Sequence, residues 1–121
     1  VGVPEVDGGT SNKTGLARVF RLHETEDGSW VKLGDDLQGR DEEEKFGQST
    51  SISDDGRVVC IGSGKGGRDD LGRVDVYMFQ EHLQGKWKHL GTIAGDNDKG
   101  TMFGARVDIV QNGNLDEYFI A

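Results

Sequence analysis

Gly72-Arg-Val-Asp-Val-Tyr77 has a near copy earlier in the chain, Gly15-Leu-Ala-Arg-Val-Phe20, and this repetition predicts the fold. The two stretches begin 72 − 15 = 57 residues apart. The same offset of 57 (87 − 30, 90 − 33 and 103 − 46) relates three further pairs, which are Trp30 and Trp87, Leu33-Gly34 and Leu90-Gly91, and Phe46-Gly47 and Phe103-Gly104. A fixed period of this size is typical of repeat architectures, in which each small unit packs its apolar face against the next.

The composition predicts short strands and turns. Of the 121 residues, 20 are glycine and one is proline, and glycine both weakens helix interiors and marks turns. The net charge of −8, from 22 acidic and 14 basic residues, argues against nucleic acid or an anionic membrane as the partner. No apolar run approaches the roughly 18 residues of a membrane-spanning helix, so no membrane insertion is expected. The single cysteine, Cys60, lies in an apolar run and is predicted to be a buried, inert thiol.

Each repeat unit contains four candidate strands. In the central unit they are an alternating segment that begins at Phe46, the apolar run Arg57–Ile61, the alternating segment Gly72–Phe79, and Trp87–Ile93. Four antiparallel strands joined by glycine-rich turns are typical of a β-propeller blade. We therefore predict an all-β fold of about two blade equivalents, with Phe46 opening the innermost strand.

The predicted blade boundaries do not coincide with the first and last residues of the sequence. Residues 1–45 would hold the outer strands of a first blade and its connection, residues 46–102 a complete central blade and its connection, and residues 103–121 the inner strands of a following blade. Both outermost sheets would then present unpaired edges. Two explanations stay open: the residues are a section of a larger propeller, or copies assemble head to tail into a homo-oligomer and complete one another's blades.

The repeated residues resemble the FG-GAP repeats of the integrin α-subunit propeller, in the non-integrin form that is frequent in diatoms and related algae. The matching motifs cover essentially the whole chain, and they are Gly72-Arg-Val-Asp-Val-Tyr77, Trp87, Leu90-Gly91, Phe46-Gly47-Gln-Ser49 and Ser53-Asp54-Asp55-Gly56. The resemblance implies a β-propeller. Because the family includes adhesion receptors and large surface proteins, it also implies a non-catalytic scaffold for adhesion or protein–protein interaction, at the cell surface or outside the cell.

The chain departs from the calcium loop that integrin-type repeats often carry. That loop reads Asp-x-Asp-x-Asp-Gly-x-x-Asp, whereas Ser53–Arg57 is shorter and offers only two carboxylates. A second candidate opens at Asp96 but has Val107 at its twelfth position, where calcium needs a bidentate glutamate. Solvated turns are therefore favoured at both places, and no cofactor is expected. The residues that remain as calcium candidates are Asp54, Asp55, Asp96 and Asp98.

Polar loops on one rim of the predicted propeller are the expected interaction surface, and a charged surface without a ligand is the open alternative. The candidates are Asp41, Glu42, Glu43, Glu44, Lys65, Arg68, Asp69 and Asp70. The repeated aromatic residues are predicted to be structural anchors: Trp30, Trp87, Phe46 and Phe103. Asn12-Lys13-Thr14 is an N-glycosylation sequon in a loop.

The sequence contains no motif that supports catalysis. Gly62-Ser-Gly64-Lys-Gly66-Gly67 matches Gly-x-Gly-x-x-Gly, but a strand rather than a helix follows it, so a dinucleotide site is not expected. No histidine or cysteine stands at metal-ligand spacing. Two alternatives stay open: a glycan-binding lectin formed by head-to-tail oligomers, and an enzyme with its site in a central channel near Arg106 and Asp108.

Overall fold

The structure is a computed structural model that describes residues 1–4, 13–23, 28–66, 71–96, 102–113 and 117–121. These residues form antiparallel sheets, which confirms the predicted all-β class. The described ranges contain no α-helix, and one 3-10 turn spans Glu81–Leu83. In chain order the strands are β1 (Gly2–Val3), β2 (Leu16–Ala17), β3 (Phe20–Leu22), β4 (Trp30–Lys32), β5 (Leu37–Gln38), β6 (Phe46–Ile52), β7 (Val58–Ser63), β8 (Arg73–Gln80), β9 (Lys86–Ala94), β10 (Ile109–Gln111) and β11 (Tyr118–Ile120).

The central sheet has four strands in the order β6-β7-β8-β9, and each pairs antiparallel with the next. All four lie within residues 46–102, the range predicted for a complete unit. The turn between β6 and β7 is made by Asp54-Asp55-Gly56, where Gly56 has a φ of 70°. Every residue of β7 is buried, which explains why this strand is a continuous apolar run rather than an alternating one.

Two small sheets precede the central sheet. β1 and β5 pair with the two edges of β2, while β3 pairs with β4. β2 and β3 follow each other closely along the chain, and together they occupy the place that β8 has in the central sheet. β1 was not expected, because the sequence predicted only outer strands in this unit.

A two-stranded hairpin, β10-β11, follows the central sheet. Asp108 and Ala121 extend its ladder by exchanging backbone hydrogen bonds of 2.8 and 3.0 Å.

Successive sheets are joined by the same backbone contact, which occurs twice. Gly15 forms a parallel bridge with Phe46, and Gly72 forms a parallel bridge with Phe103. Both glycines have positive φ, 81° and 84°. A Cβ atom would lie 2.2 Å from the carbonyl oxygen of Phe46 in the first case and 2.0 Å from that of Phe103 in the second. Glycine is therefore required at both positions, by backbone conformation and by space.

Two apolar cores fill the spaces between the sheets. Because successive side chains of a strand point to opposite faces, β7 contributes Val59 and Ile61 to one core and Val58 and Cys60 to the other. We call the space between the first sheets and the central sheet the first junction; its buried side chains are Ala17, Leu37, Phe46, Val59 and Ile61. The second junction lies between the central sheet and the β10-β11 hairpin; its buried side chains are Val58, Cys60, Val74 and Ile109.

Candidate functional site

A cluster of buried charges links the connection before β6 to strands β8 and β9. Its centre is Arg73, whose guanidinium donates to three carboxylates: Asp75 at 2.9 Å, Asp41 at 2.5 Å, and Glu44. The second oxygen of Glu44 accepts a hydrogen bond of 2.6 Å from the backbone N–H of Arg40. Arg73, Glu44 and Asp75 are buried, whereas Asp41 is exposed. We call this set the Arg73 cluster; it comprises Arg40, Asp41, Glu44, Arg73, Asp75, His89 and Thr92.

Asp75 is the most heavily bonded member of the cluster. Its Oδ1 accepts hydrogen bonds from Thr92 Oγ1 at 2.5 Å and from Arg40 Nη2 at 2.8 Å, and His89 Nε2 lies 2.9 Å away. Burial by itself would raise the pKa of Asp75. The hydrogen bonds from Thr92 and His89, together with the charges of Arg73 and Arg40, hold that pKa below its usual value.

The other two buried ions of the cluster influence each other. Burial raises the pKa of Glu44, and the neighbouring Arg73 only partly opposes this. Burial favours the neutral form of Arg73, but the charges of Glu44 and Asp75 together with the hydrogen bonds to Asp41 and Asp75 outweigh it, so the pKa of Arg73 is raised. Both oxygens of Glu44 and three nitrogens of Arg73 are engaged, so the cluster holds the connection against the sheet.

The first junction contains an open apolar cleft of about 510 Å³. It is lined mainly by side chains of the first sheets and of β6 and β7, including Ala17, Val19, Phe20, Trp30, Ile52 and Val59. Ile52 is 47% exposed there, whereas the residue 57 positions later, Ile109, is 5% exposed in the second junction. The two junctions are therefore closed to different degrees at corresponding positions.

The two repeated tryptophans have different environments. Trp87 packs on the first core, and its Nε1 donates a hydrogen bond of 2.8 Å to the carbonyl oxygen of Leu33. A Cβ atom on the neighbouring Gly34 would lie 2.8 Å from the Trp87 ring. Trp30 is 68% exposed, and a Cβ atom on Gly91 would have no atom within 4 Å.

The aromatic anchors thus differ from their prediction in one respect. Phe46 and Trp87 pack inside the chain, with Phe46 1% exposed. Trp30 and Phe103 do not, and both count among the exposed large apolar residues. Trp30 lies on the outer sheet β3-β4, where no described strand covers it. Phe103 remains 37% exposed although it bridges to Gly72 of the central sheet.

The predicted rim is only partly at the surface. Asp41, Glu42, Glu43 and Lys65 are exposed, but Glu44 is completely buried because Arg73 holds its carboxylate inside the protein. The prediction that Glu44 forms part of an interaction surface was therefore wrong. Five predicted residues lie outside the described residues, namely Asn12, Arg68, Asp69, Asp70 and Asp98.

The calcium candidates do not form a shared set of free ligands in the described residues. Both oxygens of Asp55 accept hydrogen bonds from protein groups, Oδ1 from Ser53 Oγ at 2.6 Å and Oδ2 from Tyr118 Oη at 2.8 Å. Asp54 and Asp96 are exposed and lie on different loops. Within the ranges that the structure describes, no group of three or more histidine, cysteine, aspartate or glutamate residues is placed to hold a metal ion.

The two residues named for a central-channel site have different environments. Asp108 accepts a hydrogen bond of 3.0 Å from Ser51 Oγ across the second junction, and Arg106 is exposed.

Sequence reasoning missed the Arg73 cluster. One signal was present, because Arg73 and Asp75 alternate with Val74 and Val76 and therefore lie on the opposite face of β8. Two charges of opposite sign on one face of a strand whose other face is apolar indicate one of two arrangements. Either the charged face is exposed to solvent, or the two charges form a buried ion pair. The acidic run Asp41–Glu44 supplied the missing carboxylates, but nothing in the sequence placed it beside β8.

Compared with models of known protein families and with curated protein sequences, the chain gives no match. Among the described residues, no helix has the length and apolar character needed to cross a membrane.

Proposed function

We propose that this chain is a non-catalytic β-propeller repeat protein, a rigid scaffold for adhesion or protein–protein interaction that belongs to a larger propeller or assembly. The observation that carries the proposal is the repetition of one sheet-to-sheet contact, Gly15 with Phe46 and Gly72 with Phe103. Sheets that follow one another through a constant contact are the arrangement expected of propeller blades.

The packing supports a stiff scaffold. The backbone contacts at the junctions leave no room for side chains, and the Arg73 cluster fixes the connection between units with buried, hydrogen-bonded charges. On stiff scaffolds the loops usually carry the binding function.

The exposed part of the predicted rim is acidic at Asp41, Glu42 and Glu43. With a net charge of −8 on the whole chain, the partner that fits this rim is a protein with a basic surface.

Partner capture with matched variants tests this proposal. The immobilised protein is compared with a Glu42→Gln/Glu43→Gln variant and with a control variant, Asp35→Asn/Glu81→Gln, which removes two exposed acidic groups elsewhere. We expect the wild type and the control to retain the same basic protein, and the rim variant to lose it. Retention of an unchanged set of proteins by the rim variant would contradict the proposal.

A further inference from the structure

We propose that the cleft at the first junction is filled by strand β11 of a second copy of this chain, which pairs with the free edge of β3. This inference rests on the proposed function, since it takes the units to be blades, and it identifies the assembly as one made of copies of the chain.

The central sheet shows what β3 lacks. There β7 pairs with β8 so that Val58 lies opposite Met78 and Val59 lies opposite Tyr77. Subtracting 57 from the β8 positions gives Arg21 and Phe20 in β3. Among the described strands β3 pairs only with β4, so its other edge is unpaired and faces the cleft.

The strand of this chain that corresponds to β7 is β11. Ile109 lies opposite Ile120 in the hairpin, as Ile52 lies opposite Val59 in the central sheet. Ile120 therefore corresponds to Val59, and Phe119 corresponds to Val58.

Transferred to the first junction, this register places Phe119 of one copy opposite Arg21 of the next. The side chain of Phe119 would enter the cleft beside Ile52. Phe119 is 60% exposed in the single chain, so its apolar ring and the apolar cleft are both exposed to solvent. Burying both against each other is favourable, because apolar surface leaves water on both sides.

The tryptophans give an independent argument for the same arrangement. Trp87 lies against Gly34 and donates to the carbonyl oxygen of Leu33. At the same offset, Trp30 of one copy would lie against Gly91 of the second copy. Its Nε1 would donate a hydrogen bond to the carbonyl oxygen of Leu90 in that second copy. Trp30 and Leu90 are exposed, and the space beside Gly91 is open. The second copy that supplies β11 is the one that presents Gly91, since β9 and β11 belong to neighbouring units of one chain.

A contact of this kind is head to tail, because the cleft of one copy receives the β10-β11 hairpin of another. Copies joined in this way close into a ring if the rotation between them allows it. Each copy carries a charge of −8, and like charges repel, so association should strengthen as salt is added.

Crosslinking tests the register. Chains carrying Arg21→Cys are mixed with chains carrying Phe119→Cys under mild oxidation. Residues opposite each other in antiparallel strands have Cα atoms about 4.5–5.5 Å apart, a separation that a disulfide spans. We expect a crosslinked pair in this mixture at a yield about tenfold above the control mixture of Leu83→Cys with Phe119→Cys. Equal yields in the two mixtures would overturn the inference.

Sedimentation equilibrium tests the association itself. We expect the wild type and Leu83→Asp, an exposed control, to have a mass that is a multiple of 13.2 kDa. Phe119→Asp and Trp30→Ala should have the mass of one chain, with unchanged circular dichroism because both side chains are exposed in the single chain. A wild type of single-chain mass at micromolar concentration, or an associated Phe119→Asp, would overturn the inference.

The two proposals fail in different ways. A single-chain mass combined with loss of the partner by the rim variant would contradict only the head-to-tail inference. Association through β11 combined with an unchanged set of captured proteins would contradict only the proposed interaction rim.

Discussion

The two junctions share a backbone contact but differ in what closes them. The second junction is sealed because β7 directs Val58 and Cys60 into it, where both are almost completely buried. In the first junction the corresponding place holds only the two-residue strand β1, which pairs with β2 and leaves β3 uncovered. The cleft and the exposed Ile52 are the result. The difference shows that the inner strand of a unit completes the core that this unit shares with the following one.

Ion pairs show the same contrast between units. Arg18 pairs with Asp36 at 2.8 Å on the surface of the first sheets. The residue 57 positions after Arg18 is Asp75, which has the opposite charge and is buried in the Arg73 cluster. Corresponding positions therefore hold a surface pair in one unit and a buried network in the other, and the two should differ in their importance for stability.

The largest effect is expected from Arg73→Met. The substitution leaves Glu44 and Asp75 buried without their shared cation, and breaking a buried pair in this way costs about 3–5 kcal/mol. The free energy of unfolding from urea titration measures the loss. Arg18→Met, which removes the exposed pair, is the control and should change stability little. Equal losses of unfolding free energy in the two variants would show that the buried network contributes no more to stability than the exposed pair.

The next effect compares the junctions directly. Ile109→Ala removes a buried side chain from the sealed core and should lower the free energy of unfolding by about 2–4 kcal/mol. Ile52→Ala removes the corresponding half-exposed side chain and should cost less than about 1 kcal/mol in the single chain. Measured at increasing protein concentration, the Ile52→Ala loss should grow if a second copy covers the cleft. A concentration-independent loss would argue against that cover.

A smaller effect is expected from alanine at the paired glycines. Gly34 has a φ of 74° and lies against Trp87, so Gly34→Ala should destabilise the protein by about 1–3 kcal/mol. Gly91 has open space, so Gly91→Ala should be close to neutral for folding while it weakens association. Thermal unfolding and sedimentation together separate these outcomes. A strongly destabilised Gly91→Ala chain would contradict the difference between the two sites.

The smallest effect concerns pH. The folded-state pKa of Asp75 is below its unfolded value, so the ionised carboxylate stabilises the protein above about pH 4 and this contribution is lost as pH falls through the folded-state pKa. The difference in unfolding free energy between the wild type and Asp75→Asn should therefore shrink as pH is lowered below about 4. Asp54→Asn, at an exposed position, is the control. A difference that stays constant down to acid unfolding would contradict the role of Asp75.

The sequence was sufficient to predict the strands of the central sheet, because two kinds of local pattern coincide there. Strand β7 is a continuous apolar run, β8 alternates, and Asp55-Gly56 marks the turn between β6 and β7. The glycines at the junctions were also visible in the sequence, although only the structure shows that each is required by a carbonyl oxygen of the next unit.

Features that depend on contacts between distant residues could not be predicted. The burial of Glu44 depends on Arg73, which is 29 residues away, and no local pattern connects the two. The exposure of Trp30 also escaped prediction, because its motif is the same as that of Trp87 and only the presence of a covering neighbour differs.

The glycines at the junctions have a consequence for how such chains can diverge. A Cβ atom would lie 1.9 Å from the carbonyl oxygen of Gly104 if placed on Gly62, and 2.0 Å from that of Gly47 if placed on Gly2. Main chain therefore meets main chain, and these contacts set the distance and tilt between successive sheets. Side chains elsewhere can change without altering this spacing, so loops could be exchanged for new specificities while the arrangement of successive sheets is inherited intact.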